Sequence, residues 1–206
     1  GVILTVRVVH RNRPDLPKRF AHAQIYEYSR QSSFMPRSLH VSLLPQNAAD
    51  LSGRCAIVID VLRATTTIVE ALASGATGVY PCRTVAEARQ LAGDLNPTPL
   101  LAGERDCLRV EGFDLGNSPL EYSAAVVGGR EVVFTTTNGT AAMLQCAAAD
   151  SVILAAFTNL SAVIHHVRDE SSVAIICSGT NGSITRDDVL LAGAIVSRLA
   201  GGDEDA

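Results

Sequence analysis

Two stretches of the sequence place hydroxyl, amide and charged side chains directly after short apolar runs. The first is "DVLRATTT", which begins at Asp60 after "AIVI", and the second is "TTTNGT", which begins at Thr135 after "EVVF". A strand that ends in such a turn and leads into an alanine-rich helix presents unpaired backbone N–H groups at the start of that helix. Threonine hydroxyls and those N–H groups bind anions, so both turns are candidate sites for a phosphate-like group.

Carboxylates and arginines accompany these turns. Asp60 follows four apolar residues, where an unpaired carboxylate is costly, and this position favours a functional role. Carboxylate oxygens suit Mg²⁺, and a planar guanidinium holds phosphate through paired hydrogen bonds. Lys18 is the only lysine, so arginine, backbone N–H groups or metal must complete any anion site in the rest of the chain. The candidate carboxylates are Asp60, Glu104, Asp114, Asp187 and Asp188, and the candidate arginines are Arg63 and Arg105.

Some of these residues also have a purely structural interpretation. Thr65, Thr66 and Thr140 can act as helix caps, and Asp188 fits a capping box with Thr185 in "TRDD", which we favour over a metal role. Known phosphate-binding loops, GxxxxGK[ST] and GxGxxG, are absent from the sequence. "DVLRAT" is similar to the nucleophile loop of haloacid-dehalogenase phosphatases, but Leu62 replaces its second aspartate. That fold is therefore disfavoured, while an aspartyl nucleophile stays open.

The elements that carry the two turns recur along the chain. A constant shift places "AIVID" on "EVVFT", Asp60 on Thr135 and Thr65 on Thr140, and it continues through two more apolar runs and their helices. Each half reads β-α-β-α-β, over about residues 55–125 and about residues 130–200. Apolar strands that alternate with helices predict an α/β fold of three layers, αβα, with a mainly parallel sheet or sheets.

All the polar clusters follow predicted strands. "DVLRATTT", "CRT" and "GERD" follow the strands of the first half, and "TTTNGT", "FTN" and "SGTNG" follow those of the second. Ligands of open α/β sheets bind outside the carboxyl ends of the strands. The pattern therefore predicts metal-assisted chemistry on a small, anionic, phosphorylated molecule.

Composition sets limits on other functions. The chain has 206 residues, of which 47% are hydrophobic and 18% charged, enough for one large domain or two small ones. No apolar run approaches the ~18 residues of a membrane span, and no secretory signal is visible. Five cysteines without a CxxC pair predict buried thiols in a reducing cytoplasm rather than zinc ligands or disulfides.

Basic residues concentrate near the start of the chain. Residues 1–38 hold seven of the 17 Lys and Arg but two of the 21 Asp and Glu. We interpret residues 1–34 as a basic extension outside the working domain, which would span 35–206. The remaining chain is acidic, which argues against a nucleic-acid partner.

Four blocks carry a family resemblance: "IDVLRATTTIVEALASGA", "GERDCLRVEGFDLGNSPLEY", "TTTNGT" and "CSGTNG". Over about Leu39 to Gly193 the chain resembles the 2-phosphosulfolactate phosphatase family (ComB-like). The resemblance implies a Mg²⁺-dependent hydrolase that releases phosphate from 2-phospho-3-sulfolactate, the step that yields sulfolactate in coenzyme M biosynthesis. The positions that match the family are Asp60, Arg63, Glu104, Arg105, Asp114, Asn117, Ser118, Asn138 and Thr180.

These observations together assign provisional roles. Asp60, Arg63, Glu104 and Arg105 are the predicted catalytic residues, and Mg²⁺ is assigned to Asp60 with Glu104 or Asp114. Which carboxylate is nucleophile and which is ligand stays open. The predicted substrate-binding residues are Thr65, Thr66, Asn117, Ser118, Thr136, Thr137, Asn138, Gly139, Thr140, Asn159, Ser178, Gly179 and Thr180.

The duplication suggests a division of labour between the two halves. The first half would bind the phosphate, and the second would bind the sulfonate through neutral donors, since Thr135 stands where the shift places Asp60. Family members continue beyond "DDVLLAGAIV", so we expect a C-terminal truncation here. A non-catalytic binder of an anionic metabolite and a phosphatase of another small acid stay open, as does homo-oligomerisation.

Overall fold

The computed structural model describes residues 5–9, 22–26, 36, 38–48 and 50–200, with only the backbone of the first two ranges. Strands and helices alternate from residue 55 onward. The strands in the described part are β1 (Thr5–Val9), β2 (His22–Tyr26), β3 (Ser38–Ser42), β4 (Cys55–Ile59), β5 (Gly78–Pro81), β6 (Leu100–Arg105), β7 (Leu108–Arg109), β8 (Glu131–Thr135), β9 (Ser151–Ala155) and β10 (Ser172–Cys177). The α-helices there are α1 (Ala64–Ala73), α2 (Val85–Asp94), α3 (Ala124–Val127), α4 (Gly139–Gln145), α5 (Leu160–Val167) and α6 (Arg186–Ala200).

Parallel pairing dominates the strand order. β4 pairs in parallel with β9 and β10, and β10 also pairs with β3. β8 pairs in parallel with β5 and β6. Antiparallel β1 and β2 lie between these two parallel sets in the order β3-β10-β4-β9-β1-β2-β5-β8-β6-β7. The predicted α/β class with mainly parallel pairing is confirmed.

Helices cover both faces of each parallel set, because successive strand residues point to opposite sides. In β4, Val58 packs in a cluster with residues of α1 and α4, whereas Ile57 packs with α5 and α6. In β8, Phe134 joins the α1 and α4 cluster, whereas Val133 packs against α2. The predicted helix–sheet–helix layering is therefore present, and α1 and α4 form a layer that both parallel sets share.

The two predicted halves have equivalent elements, but they exchange their first strands. β4 of the first half lies between β9 and β10 of the second, and β8 of the second half lies between β5 and β6 of the first. At the end of β4, Ile59 pairs with Cys177 of β10. At the equivalent end of β8, Thr135 pairs with Gly103 of β6. Asp60 therefore corresponds to Thr136, and its predicted match with Thr135 is wrong by one residue, because the turn after β8 is one residue shorter than the turn after β4.

β1 and β2 fall within residues 1–34, most of which lie outside the described residues. β1 pairs with β9 over Val6–Val8, and β2 pairs with β5 at Ala23. The separation of residues 1–34 from a working domain of residues 35–206 stays a prediction. No described helix has the length and apolar character that crossing a membrane requires.

The close approach of β6 and β8 gives a test of the fold. Gly103 has a φ of +138°, and a Cβ there would collide with the carbonyl oxygen of Thr135. We expect Gly103→Ala to lower the free energy of unfolding by about 3 kcal/mol, because the obstacle is backbone of a buried parallel pair. Urea unfolding measures this loss.

Gly93→Ala is the control: its Cβ meets open space within α2, so it should stabilise the protein by up to about 1 kcal/mol. Similar stability in both variants would contradict the described register.

Candidate functional site

A cavity of about 100 Å³ opens at the carboxyl ends of β4, β6, β8 and β10. The turns that follow these strands come from both halves of the chain. They meet there because α1 and α4 start at the ends of β4 and β8 and pack in one core cluster. The cavity is lined by Asp60, Leu62, Arg63, Glu104, Asp106, Cys107, Asn117, Thr136, Thr137, Asn138, Thr180 and Asn181.

Asp60 is held firmly at the end of β4. Its Oδ1 accepts the Ala64 N–H at 3.2 Å, and its own backbone exchanges two hydrogen bonds with the Thr65 hydroxyl, at 2.8 and 3.1 Å. The side chain is 8% exposed. Burial raises the pKa of Asp60 to about 7, and the charges of Asp188 and Asp187 act in the same direction. A neighbouring positive charge would oppose that rise.

Glu104 closes the end of β6 against β8. One carboxylate oxygen accepts the Thr137 N–H and the other accepts the Cys107 N–H, both at 2.8 Å. The side chain is buried. Each oxygen keeps a second lone pair. Glu104 therefore fixes the turns around the cavity and can still accept from a ligand.

The two predicted arginines have different positions. Arg63 lines the cavity, and no described residue accepts a hydrogen bond from its guanidinium. The guanidinium of Arg105 instead donates to the carbonyls of Glu104 and Arg83 at 2.6 and 3.1 Å and to the Thr135 hydroxyl at 2.8 Å. Arg105 thus joins strand ends outside the cavity lining, and Arg63 is the basic side chain that the structure brings to the cavity.

The predicted threonines also differ in whether they line the cavity or bond the backbone of their own turn. The hydroxyls of Thr65, Thr66 and Thr140 donate to the carbonyls of Asp60, Val61 and Thr136, so each closes its own turn. Thr136 lines the cavity but accepts the N–H of Thr140 at 3.2 Å. Gly139 lies so close to the Asp60 carboxylate that a Cβ would collide with it. Most of the hydroxyl chemistry after β4 and β8 is therefore structural.

The turn after β10 contributes Thr180 to the cavity lining and contacts Asn138, which lies in the turn after β8. Asn181 and Gly182 have φ values of 50° and 76°, and Thr180 and Ser183 exchange backbone hydrogen bonds at 2.9 Å across them. This is a two-residue turn of the kind that Asn-Gly favours. The Asn181 N–H donates to the side-chain oxygen of Asn138 at 3.1 Å. The amide NH₂ of Asn138 is left for a ligand.

Asp188 supports the turns from α6. It is 2% exposed and accepts the N–H groups of Val61 and Gly179, both at 3.0 Å. The predicted capping box with Thr185 is wrong, because the Asp188 carboxylate bonds these strand-end loops instead. The Thr185 hydroxyl is buried and has no hydrogen-bond partner in the described part of the chain. Asp187 accepts the N–H of Leu62 at 3.1 Å.

Other predicted residues lie outside the cavity lining. Asp114 is exposed and accepts the N–H of Leu101, near the start of β6, at 2.8 Å. Asn159 is buried and bonds the backbone of Leu154 and Ala156 at the end of β9. Ser118 precedes a short 3₁₀ turn. Ser178 and Gly179 are not among the lining residues, and both bond the Asp188 carboxylate.

Four lining residues were not among the predicted site residues: Leu62, Asp106, Cys107 and Asn181. Asp106 and Cys107 have positive φ values of 52° and 65° at the turn between β6 and β7. The "GERD" block predicted a polar turn here, but the sequence did not indicate which of its side chains line the cavity. All five cysteines lie in the described part, where no disulfide joins them and four are buried as predicted; Cys107 is exposed.

Asp60 and Glu104 are the cavity residues that could hold a Mg²⁺ ion. Among the described residues, no group of three or more His, Cys, Asp or Glu side chains could hold a metal. Mg²⁺, however, often takes only one or two carboxylates and completes its shell with waters and substrate phosphate. Asp60 and Glu104 line the same cavity and supply such oxygens, while Asp114 lies elsewhere.

Comparisons with known proteins agree on one family. Residues 40–206 match the family model described as 2-phosphosulpholactate phosphatase. A probable 2-phosphosulfolactate phosphatase of Symbiobacterium thermophilum is 50% identical over 159 residues, which cover 76% of this chain and 68% of that protein. Its namesakes in Thermotoga petrophila and Deinococcus radiodurans are 46% and 48% identical over 73% and 78% of this chain. The chain spans 64% of the length of the Thermotoga protein.

The raised pKa of Asp60 predicts a pH-dependent stability. Native Asp60 keeps its proton at pH values where the unfolded chain has lost it. Without metal, the free energy of unfolding should therefore fall as pH rises from about 4 to about 7, by up to about 4 kcal/mol. Asp60→Asn should remove most of this fall and unfold at a higher urea concentration than the parent at about pH 8.

Urea unfolding in a chelating buffer at about pH 5 and pH 8 measures the effect. Asp50→Asn is the control, because hydrogen bonds from Ser52 lower the pKa of that exposed carboxyl. The stability that Asp50 contributes is lost only as pH falls below about 4. Asp50→Asn should therefore show the same fall in the free energy of unfolding between pH 5 and pH 8 as the parent. Equal declines in Asp60→Asn and the parent would show that Asp60 is already ionised at neutral pH.

Proposed function

Because the chain belongs to the 2-phosphosulpholactate phosphatase family, we propose that it hydrolyses 2-phospho-3-sulfolactate to sulfolactate and phosphate. Phosphorus forms a bond to a water oxygen, the bond between phosphorus and the oxygen on the substrate's C2 breaks, and a proton lost by the water balances the proton that the C2 oxygen gains. One observation carries the proposal. Two buried carboxylates, Asp60 and Glu104, line one small cavity together with the guanidinium of Arg63, which no described residue engages.

The charge of the lining supports a role for Mg²⁺. Asp60, Glu104 and Asp106 outnumber Arg63 among the lining side chains, and they would repel a substrate with phosphate, carboxylate and sulfonate groups. Asp60 and Glu104 would hold the ion. When bound, Mg²⁺ would neutralise charge on the phosphate oxygens and stabilise the charge that develops during phosphoryl transfer.

The chain's own residues would mainly position the phosphate. Hydrolysis of phosphate monoesters requires catalysis on the order of 20 kcal/mol, and preorganised groups supply most of such acceleration. Arg63 would donate to the non-bridging phosphate oxygens. The bonds from Ala64 to Asp60, and from Thr137 and Cys107 to Glu104, keep both carboxylates in place without further rearrangement.

The second half of the chain would bind the sulfonate. Thr136 stands where the first half has Asp60, so this side of the cavity carries a neutral group at that position. The amide NH₂ of Asn138 is available, and the hydroxyls of Thr137 and Thr180 have no hydrogen-bond partner among the described residues. A sulfonate needs recognition without chemistry, and neutral donors suffice for it.

The cellular setting is part of the same proposal. We place the reaction in the cytoplasm, in coenzyme M synthesis or another route of sulfonate metabolism. Four buried thiols without disulfides are consistent with a reducing compartment. A substrate screen at fixed Mg²⁺ tests the function directly. Faster turnover of another small phosphorylated acid than of 2-phospho-3-sulfolactate would contradict the proposed substrate. Binding of the substrate without turnover would indicate a non-catalytic protein.

Arginine geometry gives the first kinetic prediction. Arg63→Lys keeps the charge but loses the planar fork, so kcat/KM should fall by about tenfold or more, the scale of a charged hydrogen bond. Arg105→Lys is the comparison: because Arg105 bonds strand ends, it should lower the thermal midpoint more than Arg63→Lys does. Steady-state kinetics and thermal melts separate the two. Unchanged kcat/KM in Arg63→Lys would exclude the guanidinium from phosphate binding.

The proposed separation of a phosphate site from a sulfonate site gives the second kinetic prediction. Asn138→Ala should reduce kcat/KM for 2-phospho-3-sulfolactate by about tenfold, the loss expected for a hydrogen bond to a charged group, and should affect phospholactate much less. Asp60→Asn should abolish turnover of both substrates, because it acts at the phosphate. Measuring both substrates with both variants provides the test. Equal losses for the two substrates in Asn138→Ala would contradict a sulfonate site at Asn138.

A further inference from the structure

The side-chain oxygen of Asn117 is buried and has no hydrogen-bond partner among the described residues. Asn117 is 8% exposed and lines the cavity, and its Oδ1 is fully buried without a hydrogen-bond partner in the described part of the chain. No described residue bonds its amide nitrogen. Burial of an unsatisfied amide opposes folding. A side chain in this state, on the wall of a cavity, points to a ligand.

Three hydrogen bonds hold the backbone at Gly116 and Asn117. The Gly116 carbonyl accepts the Tyr122 hydroxyl at 2.7 Å, and the Gly116 N–H donates to the Glu121 carboxylate at 2.9 Å. The carbonyl of Asn117 itself accepts the Thr67 hydroxyl at 3.2 Å. The segment is therefore fixed while the amide is left unpaired. That combination is what preorganisation of a binding group requires.

The same segment is bonded to the elements that carry the two carboxylates. The carbonyl of Leu115 accepts the N–H of Gly103, the residue before Glu104, at 3.1 Å. On its other side, Asn117 is bonded to α1, the helix that follows Asp60. Asn117 thus connects the end of β6 with the first turns of α1, and all three side chains line one cavity.

The proposed substrate does not satisfy the amide oxygen. Ionised 2-phospho-3-sulfolactate presents phosphate, carboxylate and sulfonate oxygens, all of which are acceptors. An amide oxygen cannot bond to them, but it is a hard ligand suited to Mg²⁺. The alternative is that the amide nitrogen donates to the phosphate. The carboxylates of Asp60 and Glu104, which line the same cavity, favour a cation at this position.

We propose that Oδ1 of Asn117 is a third protein ligand of the divalent cation, with Asp60 and Glu104. This inference rests on the proposed function for the presence of the cation. It assigns to Asn117 the metal-ligand role that was predicted for Asp114, and it moves Asn117 from substrate binding to metal binding.

Cation binding can be measured without substrate. Isothermal titration calorimetry with Mg²⁺ and with Mn²⁺ gives Kd for the parent, Asn117→Leu and Asn117→Asp. Leu has a similar shape without the oxygen, so Kd should rise by at least about tenfold, the smallest loss typical of even outer-shell partners of a metal. Asp keeps an oxygen ligand and adds charge, so Kd should stay the same or fall.

Thermal unfolding gives an independent readout. Without metal, Asn117→Leu should melt at or above the parent temperature, because it removes an unsatisfied buried amide. The stabilisation that Mg²⁺ gives the parent should be largely lost. Thr67→Val is the matched control: it removes the bond to the Asn117 carbonyl but leaves Oδ1, so its Kd for Mg²⁺ should rise much less than that of Asn117→Leu.

The alternatives give distinct results. An unchanged Kd in Asn117→Leu overturns the inference, and so does a parent that binds neither ion at millimolar concentration. An equal loss in Thr67→Val also overturns it, since the cause is then backbone displacement. If the amide nitrogen binds phosphate instead, Asn117→Leu should weaken the binding of inorganic phosphate and leave the Kd for Mg²⁺ unchanged. Binding of Mg²⁺ that depends on Asn117, in a chain without phosphatase activity, would support the inference and contradict the proposed function.

Discussion

The packing of α1 against α4 is the constraint on which the site depends. The two helices start at the ends of strands that belong to different parallel sets, and they share one core cluster with both sets. Their first residues touch: a Cβ on Gly139 would lie 2.5 Å from the methyl group of Ala64 and collide with the Asp60 carboxylate. Only a residue without a side chain permits this approach. The approach brings the catalytic candidates of one half to the polar turn of the other.

Within this frame, most polar side chains satisfy the chain itself. Thr65 and Thr140 close their turns in equivalent ways, and Asp188 joins the loops after β4 and β10. Buried N–H and carbonyl groups need such partners wherever strands end beneath a cavity. Arg63 and Asn117 differ, since no described residue bonds their side-chain ends. The distinction between groups that hold the site and groups that await a ligand is visible only once these bonds are known.

The sequence predicted the elements well because hydrophobic period and strand-end chemistry are local properties. It placed Asp60 and Glu104 together because parallel strands end at one edge. It could not predict that β4 and β8 exchange places, since both pairings need the same apolar strands. Arg105 was assigned by residue type, and its bonds to strand ends depend on three-dimensional geometry. Asp114 was predicted as a metal ligand from its carboxylate and its family match, but it bonds Leu101, near the start of β6 and away from the carboxyl end of that strand.

The exchange of strands also bears on how the chain acquires its structure. Ile57 in β4 pairs with Ile153 in β9 and with Ile175 in β10, so the first buried strand of the core finds its partners near the end of the described chain. High contact order of this kind slows folding, because long loops must close before the pairing stabilises them. During synthesis β4 emerges long before β9 and β10 exist. An apolar strand with both edges open is a site for aggregation. The assembly of this fold is therefore coupled to the completion of its second half, and neither half forms its own sheet alone.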